Sequence, residues 1–341
     1  MSSNPENPEV EIYKKNRTVE LTTKYNNNKT TYNNSYKLAY NNIMKSNDAT
    51  LLKNIKINNL NTQYNETIKK MTVDYNNSVS KINLFKVTPI NIQNREKRRT
   101  LLVGINNYNG NNKLQGCKND VLNVKNKLLT MGYNEKNIKT ILDESASAKN
   151  ILDSLTNLLT SSVSGDLLIF QYSGHGSYEI DKNVDEFNTN CDQDIVGVDL
   201  TTISDDILKS TIVKNLKPNV TLIALFDSCY SGSVLDLRYQ YMDSLNNDKY
   251  IENMNELETS GNVIMISGCT DMQTSSDAYI NNIDQGAMTW SFLKSLNDAA
   301  NNITWRQLIV NMRKNLKDKN FSQIPQISSG NIMELDSKVF I

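Results

Sequence analysis

One histidine occurs in the 341-residue chain. It is His175, set between Gly174 and Gly176 just after the apolar run "DLLIFQY". A second apolar run, "VTLIALFDSC", ends in Cys229 and leads into "YSG". A thiol attacks acyl carbon as the thiolate, and a free cysteine has a pKa of about 8.5. An imidazole beside it accepts that proton and later protonates the leaving amine. Glycines around the imidazole let the backbone turn sharply and approach a substrate. The amides of Gly176 and Cys229 are then candidates to steady a developing oxyanion. Singly, each residue has an ordinary reading: a strand-end cysteine is a small buried hydrophobe, and a lone histidine is satisfied structure. Their joint placement in Gly/Ser-rich loops favours catalysis.

Carboxylates lie near both loops. Asp227 precedes Cys229 by two residues, and Asp120 closes "GCKND" after the first apolar run. A buried carboxylate pair repels itself unless a cation sits between, and a guanidinium bridges two carboxylates well. Asp120 has a competing reading as a cap of the helix predicted in "NDVLNV". The segment "NCDQDIVGVDLTTISDD" is rich in hard oxygen donors, which suit calcium. Against this, Asp205 and Asp206 follow Ser204 at a predicted helix start, where acids are favoured anyway.

Several elements must position these groups. "TLLVGI", "IKTIL", "DLLIFQY", "VTLIALFDSC" and "NVIMISGC" read as buried strands. Between and after them, "NDVLNVKNKLLTMGY", "AKNILDSLTNLLTS", "SDDILKSTIVKNL", "MTWSFLKSLNDAA" and "TWRQLIVNMRKNL" read as helices. Continuous apolar strands alternating with helices predict an α/β fold, with a mostly parallel sheet covered on both faces. Ligands bind such sheets beyond the carboxyl ends of the strands, so His175 and Cys229 are expected on one rim.

Residues 1–97 differ in texture. They contain no glycine and are crowded with Asn, Lys, Thr and Tyr. From Ile57 to Ile82, apolar and aromatic residues step by three and four, which predicts an amphipathic helix packed on the neighbouring domain, with a coiled-coil partner helix as the alternative. The first thirty or so residues offer little to bury and are expected to be irregular. The division is therefore 1–97, an Asn-rich and partly helical extension, and 98–341, the α/β domain. The basic run at Arg95–Arg99 reads as a linker or an exposed cleavage site.

Composition sets limits. The 37 basic and 37 acidic residues balance, so no global field draws the chain to nucleic acid or a membrane surface. No apolar run approaches the ~18 residues of a membrane span, and no signal-peptide pattern opens the sequence. Cys117, Cys191, Cys229 and Cys269 are irregularly spaced, which suits a reducing, cytoplasmic setting rather than a disulfide framework.

"YSGHG" followed by "DSCYSGSVLDL", with "LLVGINNY…LQGCKND", "SGCTDMQTSSDA" and "GAMTWSFLKSL" in order, resembles the metacaspases of the caspase-like clan. The resemblance covers about Arg99 to Ile341, and the short gap after Asp236 is closer to type I members. It implies a three-layer α/β/α sandwich and a monomeric cysteine endopeptidase with a Cys229/His175 dyad. It implies cleavage of proteins or peptides after Arg or Lys, with Asp120 and Asp227 holding the basic side chain beside Cys117 and Ser173. It further implies calcium activation through Asp192, Asp205, Asp206 and Asp236, and self-cleavage at basic sites such as the Arg95–Arg99 run or Lys249. Two positions depart from the family pattern: Tyr230 stands where His is common, and Arg238 where Pro is usual. A competing function is a catalytically weak scaffold that binds aggregates through its Asn-rich extension. A peptidase cutting after Asp or Asn conflicts with the acidic residues of the pocket.

Overall fold

The structure, a computed structural model, describes residues 8–84, 98–108, 112–180, 191–229, 231–232, 234–241, 250–253, 256, 258–268, 277–280 and 283–339. The chain divides into two compact units, Met1–Ile90 and Asn91–Ile341.

The first unit is a helical hairpin of α1 (Pro8–Lys45) and α2 (Thr50–Leu84). The stripe expected on α2 is covered, with Ile57, Leu60, Tyr64, Ile68 and Tyr75 half-buried and Met71 buried, and the contacts of its rings are with the partner helix α1 rather than the expected neighbouring domain. The irregular start expected for the first thirty residues is corrected, since α1 runs from Pro8. Its inner face is built from tyrosines instead of an aliphatic stripe. Tyr25 stacks on Tyr75 at 4.7 Å, and Tyr64 meets the rings of Tyr32 and Tyr36 at 5.7 and 4.5 Å. The hydroxyls are bound across the hairpin: Tyr36 donates to Asn61 Oδ1 at 2.7 Å and Tyr64 to Asn33 Oδ1 at 2.6 Å. Tyrosine buries a ring while its hydroxyl finds a partner, so a segment that scores as polar still has a face to bury.

The second unit alternates strand and helix. It runs β1 (Arg98–Gly104), α3 (Cys117–Thr130), β2 (Ile138–Leu142), α4 (Ala148–Thr160), β3 (Leu167–Ser173), β4 (Gly176–Ile180), β5 (Cys191–Val196), β6 (Thr202–Ser204) and α5 (Asp205–Asn215). It continues with β7 (Thr221–Asp227), β8 (Tyr239–Tyr241), β9 (Ile251–Glu252), β10 (Asn262–Ser267), β11 (Asp277–Ile280), β12 (Ile283–Gly286), α6 (Ala287–Asp298), α7 (Trp305–Asp318) and β13 (Gln326–Ser329). The central sheet has the order β2-β1-β3-β7-β10-β13-β8-β9. Pairings from β2 to β10 are parallel, and the remaining three are antiparallel.

Each central strand is apolar throughout because both faces are covered. Leu222, Ala224 and Phe226 join the core under α4 and α5, with Ile151, Leu155, Leu208 and Ile212. Ile223 and Leu225 point the other way, into a core with Val121, Val124, Met288, Phe292 and Leu308 of α3, α6 and α7. This is a three-layer α/β/α sandwich. The same alternation sends Asp227, two residues past Leu225, toward α6.

The basic run before the sheet is only partly a linker. Arg98 and Arg99 lie in β1. Arg98 is buried, with its guanidinium over the Tyr133 ring at 5.1 Å. Arg99 donates to the Ser161 carbonyl at 2.7 Å and pairs with Asp166. These two residues are thus not an exposed cleavage site, a correction with a simple cause: strand pairing consumes them. Residues 95–97 and Lys249 lie outside the described residues.

Candidate active site

The central strands end in register. Gly104 of β1, Ser173 of β3 and Asp227 of β7 form one row across three parallel strands. His175 lies two residues past Ser173 and Cys229 two past Asp227, so both leave the same edge from neighbouring strands. Their loops touch. The Gly174 amide donates to the Asp227 carbonyl at 3.4 Å. A Cβ on Gly176 would fall 1.9 Å from the Cys229 carbonyl oxygen. Only glycine allows this approach, which explains the second glycine of the "GHG" triplet. His175 and Cys229 are both half-buried.

The imidazole is fixed by a group that the sequence does not announce. His175 Nε2 lies 2.7 Å from the carbonyl oxygen of Asn112. A carbonyl only accepts, so Nε2 carries the proton and Nδ1 is left as the basic nitrogen. The Tyr108 ring packs on the imidazole with centroids 4.5 Å apart. A backbone carbonyl can come from any residue type, so Asn112 leaves no signature in the sequence.

Asp120 and Asp227 converge on the start of α6. Both are buried. Asp120 Oδ1 accepts from the Gly286 amide at 2.9 Å, and Asp227 Oδ2 from the Thr289 amide at 2.8 Å. A Cβ on Gly286 would lie 2.1 Å from Asp227 Oδ2 and 2.7 Å from Asp120 Oδ2, which confines those oxygens to within about 5 Å of each other. The capping role for Asp120 on its own helix is not realised: α3 is entered at Gly116 with no side-chain cap. Both acids instead serve the amino end of α6, whose free amides and positive dipole end offset their mutual repulsion. Gly286 was legible only as a glycine ahead of an apolar helix, and its place between two carboxylates depends on long-range pairing. Cys117, the first residue of α3, is buried against the end of β1, where Gly104 leaves room for its carbonyl. Ser173 is fully buried, and its Oγ accepts from Gln171 Nε2 at 3.2 Å.

The acidic segment gathers beside these loops. Oxygens of Asp205, Asp206 and Asp236 lie within 4.8 Å of one another. Asp236 adopts a left-handed backbone, φ 41°, which aspartate tolerates better than most residues. Asp205 accepts from the Gln193 amide at 2.6 Å and the Asp206 amide at 2.8 Å. Burial pushes Asp205 up to about 7 against those amides, and the charges of Asp192 and Asp206 push the same way. Asp192, on β5, acts on Asp205 through its charge but is not one of the three converging carboxylates.

A family model described as the caspase domain matches residues 97–335. The chain is 31% identical to Metacaspase-1 of Meyerozyma guilliermondii over 70% of this chain and 71% of that one. It is 33% identical to Metacaspase-1 of Candida albicans, over 68% and 65% respectively. The chain belongs to the caspase-domain family, among the metacaspases. Metacaspase-1 of Schizosaccharomyces pombe is 30% identical, over 70% of this chain and 69% of that one. The chain therefore spans about two thirds of the length of the curated metacaspases it matches. A solved protein from Geobacter sulfurreducens superposes with a TM-score of 0.54 at 20% identity, covering 71% of this chain and 98% of that one, a likeness of fold. Membership makes this metacaspase a member of a cysteine peptidase family, in accord with its caspase-like sandwich.

Proposed function

We propose that the protein is a calcium-activated endopeptidase that cleaves proteins after Arg or Lys, with Cys229 as nucleophile and His175 as its acid and base. The observation that carries the specificity is the convergence of buried Asp120 and Asp227 on Gly286 in the row of strand ends that leads to Cys229. Each carboxylate accepts a hydrogen bond from an amide at the start of α6, and a guanidinium suits a pair of carboxylates held this close. An acidic P1 residue meets two negative charges there and is excluded. Cys117 and Ser173, at the same end of the sheet, complete the wall.

Cys229 attacks the scissile carbonyl after its proton passes to His175 Nδ1. The Asn112 carbonyl, bound to Nε2–H, stabilises the imidazolium that forms. The imidazolium then protonates the leaving amine, and water releases the acyl group with His175 again taking a proton. The amides of Gly176 and Cys229 face the oxyanion.

Asp205, Asp206 and Asp236 fit a calcium ion: they are hard oxygen donors whose oxygens lie within 4.8 Å of one another, and Asp205 is raised first by burial and then by the charges of Asp192 and Asp206. A cation held there would supply the charge that lets these carboxylates stay ionised together. Asp236 follows the nucleophile loop by a few residues, so its seat orders that segment. A monomer is the state that the resemblance to the metacaspases implies. A reducing, cytoplasmic setting suits the irregular spacing of the four cysteines. Self-cleavage, if it follows the same rule, cuts basic residues outside β1.

The test is a panel of Arg-, Lys-, Asp- and Asn-ended fluorogenic peptides, with calcium and with chelator, on wild type and Cys229→Ala. Basic-only turnover that needs calcium and Cys229 supports the reading. Turnover after Asp overturns the pocket, and full activity in chelator overturns the calcium site.

A further inference from the structure

His175 is held by more than its ring nitrogen. Its amide donates to the Tyr108 hydroxyl at 2.8 Å. Its carbonyl accepts from the Tyr172 hydroxyl at 2.7 Å. The two hydroxyls lie 3.1 Å apart, and both reach the Val196 carbonyl, at 3.2 and 2.8 Å. The Val196 amide returns hydrogen bonds at 3.1 Å to Tyr172 Oη and to the His175 carbonyl. Both tyrosines are buried, 1% and 0% exposed. A Cβ on Gly174 would meet the Tyr108 and Tyr172 hydroxyls at 2.5 and 2.6 Å. The first glycine of "GHG" is therefore the space these hydroxyls fill.

The proton count closes. Tyr172 gives its hydrogen to the His175 carbonyl and Tyr108 gives its own to Val196. The amides of His175 and Val196 fill the two phenol oxygens. This arrangement needs both phenols neutral, and burial raises both well above the ordinary tyrosine range.

We propose that Tyr108 and Tyr172 are positioning residues that grip the His175 backbone, one at its amide and one at its carbonyl, and so hold the imidazole in register with Cys229. The proposal rests on the reading of His175 and Cys229 as the reacting pair. Tyr108 has a double hold, because its ring also packs on the imidazole. The segment that carries Tyr108 is itself tied down: Asp143 accepts from the amides of Asn106 and Asn107 at 2.8 and 3.0 Å. Without the Tyr108 hydroxyl the His175 amide loses that acceptor, and without the Tyr172 hydroxyl the His175 carbonyl keeps only the longer bond from the Val196 amide; in either case the turn that carries His175 relaxes toward water. A sub-ångström to ångström displacement of a catalytic group lowers a rate strongly.

The experiment reads Cys229 directly. Alkylation of Cys229 by iodoacetamide is followed by mass spectrometry against pH in the full chain, with peptide kinetics in parallel. Variants are Tyr108→Phe, Tyr172→Phe and His175→Ala. Tyr239→Phe serves as a control, a buried tyrosine elsewhere in the sheet bonded to Glu258. The wild-type midpoint is expected below that of a free thiol, about 8.5, with His175→Ala near the free value. Tyr108→Phe and Tyr172→Phe are expected between the two, with kcat lowered about 10- to 100-fold and KM within about twofold. Tyr239→Phe is expected to track wild type. Wild-type midpoints in both phenylalanine variants overturn the positioning role, even if their turnover is reduced. An unmoved midpoint in His175→Ala overturns the catalytic pair itself, a separate failure. If Tyr108→Phe does not fold, Tyr172→Phe carries the same test. If neither folds by circular dichroism, the hydroxyls belong to the fold and the proposal is wrong.

Discussion

Gly286→Ala probes the specificity pocket with one methyl group. The new Cβ would stand 2.1 Å from Asp227 Oδ2 and 2.7 Å from Asp120 Oδ2. A real methyl carbon keeps at least about 3 Å from an oxygen, so the carboxylates must part or the start of α6 must withdraw. The first response breaks the Gly286–Asp120 hydrogen bond of 2.9 Å, and the second breaks the Thr289–Asp227 bond of 2.8 Å. A hydrogen bond to a charged acceptor is worth about 1.5–3 kcal/mol. Displaced carboxylates lose a similar amount with a guanidinium. At tenfold per 1.4 kcal/mol, kcat/KM on Arg-ended peptides falls roughly 10- to 100-fold, mostly through KM. The assay is peptide kinetics beside iodoacetamide labelling of Cys229, which needs no pocket. Labelling is expected at the wild-type rate. A variant with wild-type KM on Arg peptides would refute the argument that Gly286 gives the two acids their room. Loss of labelling would show the damage to be general.

Three further changes test the surrounding framework. Asp143 is buried, which raises its carboxyl, but Lys118 at 2.7 Å and the amides of Asn107 and Asn106 outweigh this and hold it below the usual range. The stabilisation is present above the unfolded value of about 4 and is lost as pH falls through the lowered folded value. Asp143→Asn, which tolerates the left-handed backbone there, is thus expected to lower Tm at pH 7 and converge with wild type at pH 2. Arg238→Met leaves the half-buried Glu252 without this guanidinium, which donates at 2.8 and 3.0 Å, and unties the Glu256 carbonyl. The expected loss is about 1.5–3 kcal/mol in chemical denaturation. Tyr64→Ala removes two ring contacts and the bond to Asn33. It is expected to speed hydrogen exchange in α1 and α2, read by mass spectrometry against wild type; unchanged exchange in both helices would contradict the role of these rings in holding the hairpin.

The central strands, the five helices of the second unit and the shared rim of His175 and Cys229 were legible because each signal is local. Runs such as Leu222–Phe226 are apolar at every position, as strands buried on both faces must be. The strands β4, β5 and β6 were not, since Ser177, Tyr178, Gln193 and Asp194 carry no such run. β13 reads as polar, because Ser328 and Ser329 are buried by their neighbours rather than by their own chemistry. The hairpin helix α1 hid behind asparagine and tyrosine, whose rings pack while their polar ends pair. In the site, side chains were visible and backbone was not. Asp120 and Asp227 stood out as acids, but their meeting at Gly286 depends on a contact across more than a hundred residues. The carbonyl of Asn112 is visible only once the chain is folded. Tyr172 reads as the end of an apolar run and Tyr108 as part of the loop after the first strand, and nothing local distinguishes a ring in the core from a hydroxyl gripping the next loop.

The most direct measurement is covalent capture. Peptidyl acyloxymethyl ketones ending in Arg or in Asp are incubated with the full chain in calcium, and the modified residue is mapped by mass spectrometry. The account predicts one adduct, on Cys229, formed by the Arg reagent and not by the Asp reagent, and lost in Asp227→Asn. An adduct on Cys117, or equal capture by both reagents, would contradict it.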